Sequence, residues 1–159
     1  MPQSKFIIDA MLGNVAKKLR LLGYDSKYFA DIDDNKLVDI ARKEDRIIIS
    51  RDVELSRRAK KIGLDVILVT SQDEVEMFRD IVIHANLEIS KINGDDARCP
   101  KCNYITTLTD KRTIKEKIPE KVYQVNDKFW ICDNCNQVYW EGTHIENLQQ
   151  FVNKINETT

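Results

Sequence analysis

Two hydrophobic patterns alternate along the first ninety or so residues of the chain. Short segments rich in apolar residues, at 5–8, 26–29, 46–50 and 66–69, predict strands. Each is followed by apolar residues at helical spacing, which predict helices that include residues 12–22, 37–41, 55–62 and 75–85. Strands that alternate with helices are typical of a parallel α/β sheet with right-handed crossovers, here over about residues 4–90.

The pattern changes at the sequence Asn-Gly-Asp-Asp, residues 93–96. A turn-rich segment with all four cysteines then runs to about Tyr139, and apolar residues from Ile145 to Ile155 predict a closing helix. We therefore predict two units: an α/β domain over residues 1–92, and a ribbon with the closing helix over residues 93–159. A length of 159 residues is compatible with one domain and a small metal-stapled module.

The overall charge predicts no general attraction to polyanions, because 25 basic and 26 acidic side chains leave a net charge of −1. No apolar run approaches the roughly 18–20 residues that cross a bilayer, so we expect no membrane association and a cytoplasmic location. Thiols stay reduced in that compartment. Cysteines in close pairs are then better interpreted as metal ligands than as disulfides.

The cysteines form two pairs with the same spacing, Cys99 with Cys102 and Cys132 with Cys135. Two intervening residues let both thiolates of a tight turn reach one ion, so the sequence predicts a tetrahedral Zn²⁺ site. Four protein sulfurs leave no position for water or substrate, which indicates a structural zinc that this segment needs for folding. The alternative is four unrelated buried cysteines.

Aspartates follow two of the predicted strands. Asp9 comes directly after the first strand and Asp52 after the third, while Asp33 and Asp34 begin a helix that can lie nearby. Ligands of open α/β sheets bind at the carboxyl ends of the strands. Clustered carboxylates repel one another, so their convergence predicts Mg²⁺ or Mn²⁺. The alternative roles are a helix N-cap for Asp33 or Asp52 and a favourable interaction with the helix dipole for Asp34.

Basic side chains near these elements are candidates for contacts with RNA phosphates. They are Lys17, Arg20, Arg51, Arg57, Lys111 and Arg112. Each could instead belong to a solvated face. His144 has two alternatives, a phosphate contact or a first-turn helix residue behind a Thr143 N-cap, and His84 is predicted to be a partly buried helix residue.

Six segments together resemble the mut-seven C-terminal RNase domain family over nearly the whole chain. They are residues 6–13, 18–25, 47–52, Cys99-Pro100-Lys101-Cys102, Cys132-Asp133-Asn134-Cys135 and residues 139–144. The resemblance implies a PIN-like fold with a zinc ribbon and metal-dependent endoribonuclease activity through Asp9, Asp34 and Asp52. PIN-type sites often use a fourth acid; Asp73 is the candidate here, with a helix N-cap as its alternative role.

Two other functions are compatible with parts of the sequence. A non-enzymatic RNA-binding adaptor would use the zinc ribbon and leave the aspartates as helix caps. A phosphoacceptor receiver domain would place acids after the first and third strands, but the chain turns into the cysteine segment where a fifth strand is needed. A dinucleotide site is excluded because no Gly-x-Gly-x-x-Gly follows the first strand.

Overall fold

A computed structural model describes residues 3–157. The first part contains β1 (Phe6–Ile8), a 3-10 helix (Ala10–Leu12), α1 (Gly13–Leu21), β2 (Ser26–Tyr28), α2 (Asp34–Glu44), β3 (Ile47–Ser50), α3 (Val53–Lys61), β4 (Val66–Leu68) and α4 (Glu74–Ala85). The second part contains β5 (Thr106–Thr109), a 3-10 helix (Lys111–Lys117), α5 (Glu120–Val125), β6 (Phe129–Cys132), β7 (Val138–Tyr139) and α6 (Thr143–Glu157).

The first four strands form one parallel sheet in the order β2-β1-β3-β4. Phe6 and Ile8 of β1 face a core shared with α1 and α4, whereas Ile7 faces a second core shared with α2 and α3. This alternation follows from the two-residue period of a strand, and both faces are apolar because both are covered by helices. The predicted α/β class is confirmed. Among residues 3–157 the sheet has no fifth parallel strand, which a receiver domain would need.

The cysteine segment forms a separate antiparallel sheet in the order β5-β6-β7. Its own core is small: Ile114, Phe129 and Val138 are its buried members. The 3-10 helix and α5 between β5 and β6 were not predicted, although Ile114, Ile118 and Val122 recur at helical spacing; Pro119 interrupts that pattern between the two helices.

Helix α6 packs on the parallel-sheet unit, although we predicted it as part of the ribbon. Leu148, Val152 and Ile155 join the core that contains Phe78 and Ile81 of α4. The apolar stripe of α6 needs a wide partner surface, and the three-residue ribbon core is too small to supply one. The ribbon is thus inserted between α4 and α6. The division into two units at residue 92 stays a prediction. Within the described part of the chain, no helix has the length and apolarity to span a membrane.

Candidate functional site

The four cysteine sulfurs converge on one point. All lie within 4.8 Å of one another, with 3.7 Å between Cys99 and Cys135 and 3.3 Å between Cys102 and Cys132. Sulfurs bound tetrahedrally at about 2.3 Å from zinc lie about 3.8 Å apart, whereas a disulfide needs about 2.05 Å. The cluster could therefore hold a zinc ion.

Hydrogen bonds surround these sulfurs. The backbone N–H groups of Asn134 and Cys135 point at Cys132 Sγ, at 3.4 and 3.5 Å. The Tyr139 hydroxyl lies 2.9 Å from Cys99 Sγ. Burial opposes ionisation of Cys102, but hydrogen bonds, first from the Tyr104 backbone, lower its pKa to about 6. Such donors stabilise thiolates and orient metal ligands.

Hydrogen bonds hold the first cysteine turn against the parallel sheet. Asn103, in a left-handed conformation at φ 71°, accepts a hydrogen bond from Ser26 N–H at 2.9 Å and donates one to Asp25 Oδ1 at 2.7 Å. Asp25 also binds Arg46 at 2.8 Å. Burial disfavours the Asp25 anion, but hydrogen bonds from Arg46 and Asn103 outweigh burial and lower its pKa.

Arg20 is a structural link in this junction rather than the RNA contact that we predicted. It is 5% exposed, and its guanidinium donates to the carbonyls of Ser26 and Pro100, each at 2.8 Å. Burial lowers its pKa, against the attraction of the Cys99 and Cys102 sulfurs. Two of its five N–H donors thus hold the protein together.

Asp9 and Asp52 are brought together by Ser50 at the carboxyl edge of the sheet. The fully buried Ser50 hydroxyl donates to Asp9 Oδ2 at 2.8 Å and accepts the N–H of Asp52 at 2.9 Å. β1 and β3 are adjacent and in register, so their ends meet. The sequence analysis missed the role of Ser50; a polar residue that ends the apolar run Ile47–Ser50 was the available signal.

Three of the candidate aspartates cap the N-termini of helices. Asp52 Oδ1 accepts the N–H groups of Glu54 and Leu55 at 2.9 and 3.1 Å, so it caps α3. Asp33 caps α2 through Lys36 N–H at 3.0 Å, and Asp73 caps α4 through Glu76 N–H at 3.0 Å. The alternative roles proposed for these three residues are present in the structure.

Asp34 lies in the first turn of α2, and its Oδ2 is 3.4 Å from Nη2 of Arg58 on α3. Within residues 3–157, three carboxylate or imidazole groups nowhere approach one another as closely as the sulfurs do. Asp9 Oδ1 and Asp52 Oδ2 take no part in the hydrogen bonds above. Asp34 would have to exchange its pairing with Arg58 to join them.

The other predicted RNA contacts lie on three different elements: α1, α3 and the 3-10 helix of the ribbon. Lys17 is exposed on α1, and Arg57 pairs with Glu54 on the surface of α3. In the ribbon, Lys111 lies 4.6 Å from the centre of the Tyr123 ring and Arg112 pairs with Asp110 at 2.9 Å.

Arg51 is the predicted RNA contact nearest the acids in the chain. It lines a groove of about 410 Å³ together with Met11, Gly13, Tyr28 and Glu74. We call this the Arg51 groove. The Tyr28 hydroxyl donates to the Ala10 carbonyl at 2.6 Å, next to Asp9, and a side chain at Gly13 would press on its ring.

Both histidines lie outside the acidic edge. His144 is exposed in the first turn of α6, as one prediction had it, but Gly142 precedes the helix and Thr143 is its first residue. Gly142 accepts the N–H of Ile145 at 3.0 Å, which marks it as the cap. His84 is exposed and lies 2.8 Å from Asp65, so the prediction of partial burial was wrong.

Comparison with known proteins identifies one family that the chain matches. The family model described as Mut7-C RNAse domain matches residues 4–152, which include the acidic edge and the cysteine cluster. No curated protein and no solved structure matches the chain. A ribonuclease-type function is indicated by that one match. The chain belongs to the Mut7-C RNAse domain family.

Proposed function

We propose that the protein is a divalent-metal-dependent endoribonuclease that hydrolyses RNA phosphodiester bonds at the edge formed by Asp9, Ser50 and Asp52. The observation that carries this proposal is the Ser50 hydroxyl, which ties the Asp9 carboxylate to the Asp52 backbone. The edge lies at the carboxyl ends of β1 and β3, where open α/β sheets bind ligands. Membership of a ribonuclease domain family supports RNA as the substrate.

Asp9 and Asp52 would hold Mg²⁺ or Mn²⁺, with Asp34 as a third ligand. Such a cation, when bound, makes water a better nucleophile near neutral pH and neutralises phosphate charge. Ser50 would fix the direction of the Asp9 carboxylate, which leaves Oδ1 for the ion. No side-chain nucleophile is required.

The basic residues would bind RNA phosphates, and the cysteines would stabilise the ribbon. Arg51, beside the acids in the chain, would attract the scissile phosphate, and Lys17, Arg57, Lys111 and Arg112 are proposed for flanking phosphates. The cysteines would bind one structural Zn²⁺ and supply no chemistry, because all four positions of that ion would be filled by sulfur.

The test is cleavage of a mixed single-stranded and structured RNA pool by zinc-loaded protein with Mn²⁺, compared with Asp9→Asn and Asp52→Ser. Serine retains an N-cap acceptor for α3 but removes the carboxylate. Asp73→Ser is the matched control, because Asp73 caps α4 in the same way. We expect cleavage to need Mn²⁺ and to be lost in the first two variants only. Full activity of Asp52→Ser would remove that carboxylate from the mechanism.

A non-enzymatic RNA-binding adaptor is the second candidate, and the capping roles of Asp33, Asp52 and Asp73 favour it. The same experiment separates the two functions. RNA binding by wild-type protein that cleaves nothing with Mg²⁺ or Mn²⁺ would favour the adaptor.

A further inference from the structure

A second, larger groove of about 530 Å³ lies between β2 and the segment of the ribbon that precedes β5, and we call it the ribbon groove. The parallel-sheet unit contributes Tyr28 and Phe29, and the ribbon contributes Tyr104 and Ile105. Tyr28 also lines the Arg51 groove. Tyr28 therefore lines both grooves, and its hydroxyl donates to the Ala10 carbonyl beside Asp9, which connects the ribbon groove to the acidic edge through one side chain.

The ribbon groove has large apolar side chains in contact with solvent. Phe29, Tyr104 and Ile105 are 44%, 55% and 60% exposed. Most other aromatic side chains of the ribbon are wholly or partly buried, including Trp130 at 3%. Exposed aromatic and apolar surfaces beside basic groups are the combination on which unpaired nucleic acid bases stack.

The charge of the ribbon groove is complementary to phosphate. Its lining has the basic residues Arg20, Lys27, Arg46 and Arg98 against the acidic residues Asp25 and Asp133, in a chain whose net charge is −1. Asp25 is neutralised by Arg46. Lys27 and Arg98 are the more accessible cations, with side chains 34% and 25% exposed. Each also has a partner in the protein: Lys27 pairs with Glu44 at 2.8 Å, and Arg98 Nη1 donates to the Asn103 carbonyl at 2.8 Å and lies 4.0 Å from Asp25 Oδ2.

We infer that the ribbon groove binds a single-stranded RNA segment that flanks the bond to be cleaved. Bases would stack on Phe29 and Tyr104 with Ile105 beside them, and Lys27 and Arg98 would face the phosphates. A duplex does not fit this role, because its base faces are covered by stacking within the helix. The inference rests on the proposed function for the location of the scissile bond, and it makes unpaired RNA the substrate class.

The experiment measures binding by zinc-loaded Asp9→Asn protein, in which RNA is not cleaved under the proposed function. A fluorescent 12-nucleotide single strand and a 12-base-pair duplex are titrated with this protein and with versions that add Tyr104→Ala or Ile105→Ala. Leu108→Ala is the matched control, since Leu108 is 54% exposed on the same ribbon but lies outside the groove lining. We expect about tenfold weaker single-strand binding for Tyr104→Ala, the order of one lost stacked base, and no change for Leu108→Ala.

A measurement without groove variants guards against misfolding. The single strand is made with photoreactive 4-thiouridine and crosslinked to the Asp9→Asn protein, and the attached peptide is identified. Crosslinks in the peptides that contain Phe29 or Tyr104 support the inference. Crosslinks elsewhere, together with equal affinities for all variants, overturn it and leave a protein as the occupant of the groove. If single strands bind in the groove but wild-type protein cleaves nothing, the proposed function fails and the groove assignment stands.

Discussion

Ser50 shows how one buried hydroxyl can link the carboxylate of one residue to the backbone of another. Its hydroxyl hydrogen is given to Asp9, and its oxygen accepts the Asp52 N–H, so both donor and acceptor capacities are used. A threonine could make the same two bonds, whereas an alanine could make neither. The residue therefore determines where the Asp9 carboxylate points.

Ser50→Ala should lower RNA cleavage about 10- to 100-fold, the usual effect of losing a residue that orients a metal ligand. Ser50→Thr should recover most of the activity. The rate is measured with increasing Mn²⁺, because a misdirected Asp9 should also raise the Mn²⁺ concentration needed for half-maximal cleavage. Ser56→Ala controls for loss of a buried serine, since Ser56 is 3% exposed on α3. Equal Mn²⁺ dependence for wild type and Ser50→Ala would contradict the orienting role.

Asp25 is the acid on which the junction between sheet and ribbon depends. Replacing it with asparagine removes the charge opposite the buried Arg46 and should lower the free energy of unfolding at neutral pH by about 1.5–3 kcal/mol. The pKa of Asp25 is lowered in the folded protein, so its contribution is complete above the unfolded value of about 3.9 and is lost as pH falls through the lower folded pKa.

Urea unfolding of wild type and Asp25→Asn from pH 7 to the acid limit of folding checks this prediction. The difference between them should be constant near neutrality and shrink in acid. Asp39→Asn is the control, because Asp39 makes exposed ion pairs with Arg42 and Lys43, which contribute little in water. A difference that grows as pH falls would show that the sign is wrong.

Two helices are each followed by a glycine, and a side chain at only one of these glycines would meet the connection to the ribbon. Gly23 after α1 and Gly63 after α3 both have positive φ, at 97° and 87°. A Cβ at Gly23 would lie 2.8 Å from the carbonyl oxygen of Asp96, whereas a Cβ at Gly63 would meet nothing within 4 Å. The end of α1 thus packs against the chain as it enters the ribbon.

Gly63→Ala should cost about 1–2 kcal/mol, the strain of a left-handed conformation, and Gly23→Ala should cost more because it also displaces the Asp96 backbone. Thermal unfolding of both variants gives the comparison. Equal losses of stability in the two variants would mean that the Asp96 backbone moves away from the new side chain without lowering the free energy of unfolding.

The elements were predictable where a local pattern decides them. The apolar run Ile47–Ser50 indicates a strand without further context. The positions of Asp9 and Asp52 directly after apolar runs likewise predict that both residues follow a strand. Contacts between distant segments were not predictable. A charged residue such as Arg20 gives no local sign that its partner is the carbonyl of Pro100, eighty residues away. The pairing of Asp34 with Arg58 is equally invisible in sequence.

At the scale of the whole molecule, the ribbon is held at both ends by the parallel-sheet unit. The chain leaves after α4, folds around the cysteine cluster and returns as α6, which packs on α4. The main core is therefore complete only after the ribbon has been made.

Cys135→Ser should abolish the zinc content, which we expect to be about one ion per wild-type chain by atomic emission. The ribbon should then unfold, because three buried apolar residues cannot stabilise it. The melting temperature of the main transition should also fall, since α6 must dock across a longer flexible loop. Near-ultraviolet circular dichroism reports on Trp130 and Trp140 in the ribbon. Full zinc content in the variant would contradict the four-cysteine site.

The hydrogen bond between Asn103 and Ser26 of β2 has a consequence for solubility. β2 is an edge strand, and edge strands with free polar groups invite pairing with other chains. Here the N–H of Ser26 is bound by Asn103 and its carbonyl by Arg20, so neither is offered to a neighbour. The first cysteine turn thus closes the start of β2 to strand addition, and unfolding of that turn would expose the Ser26 N–H and carbonyl to pairing with other chains.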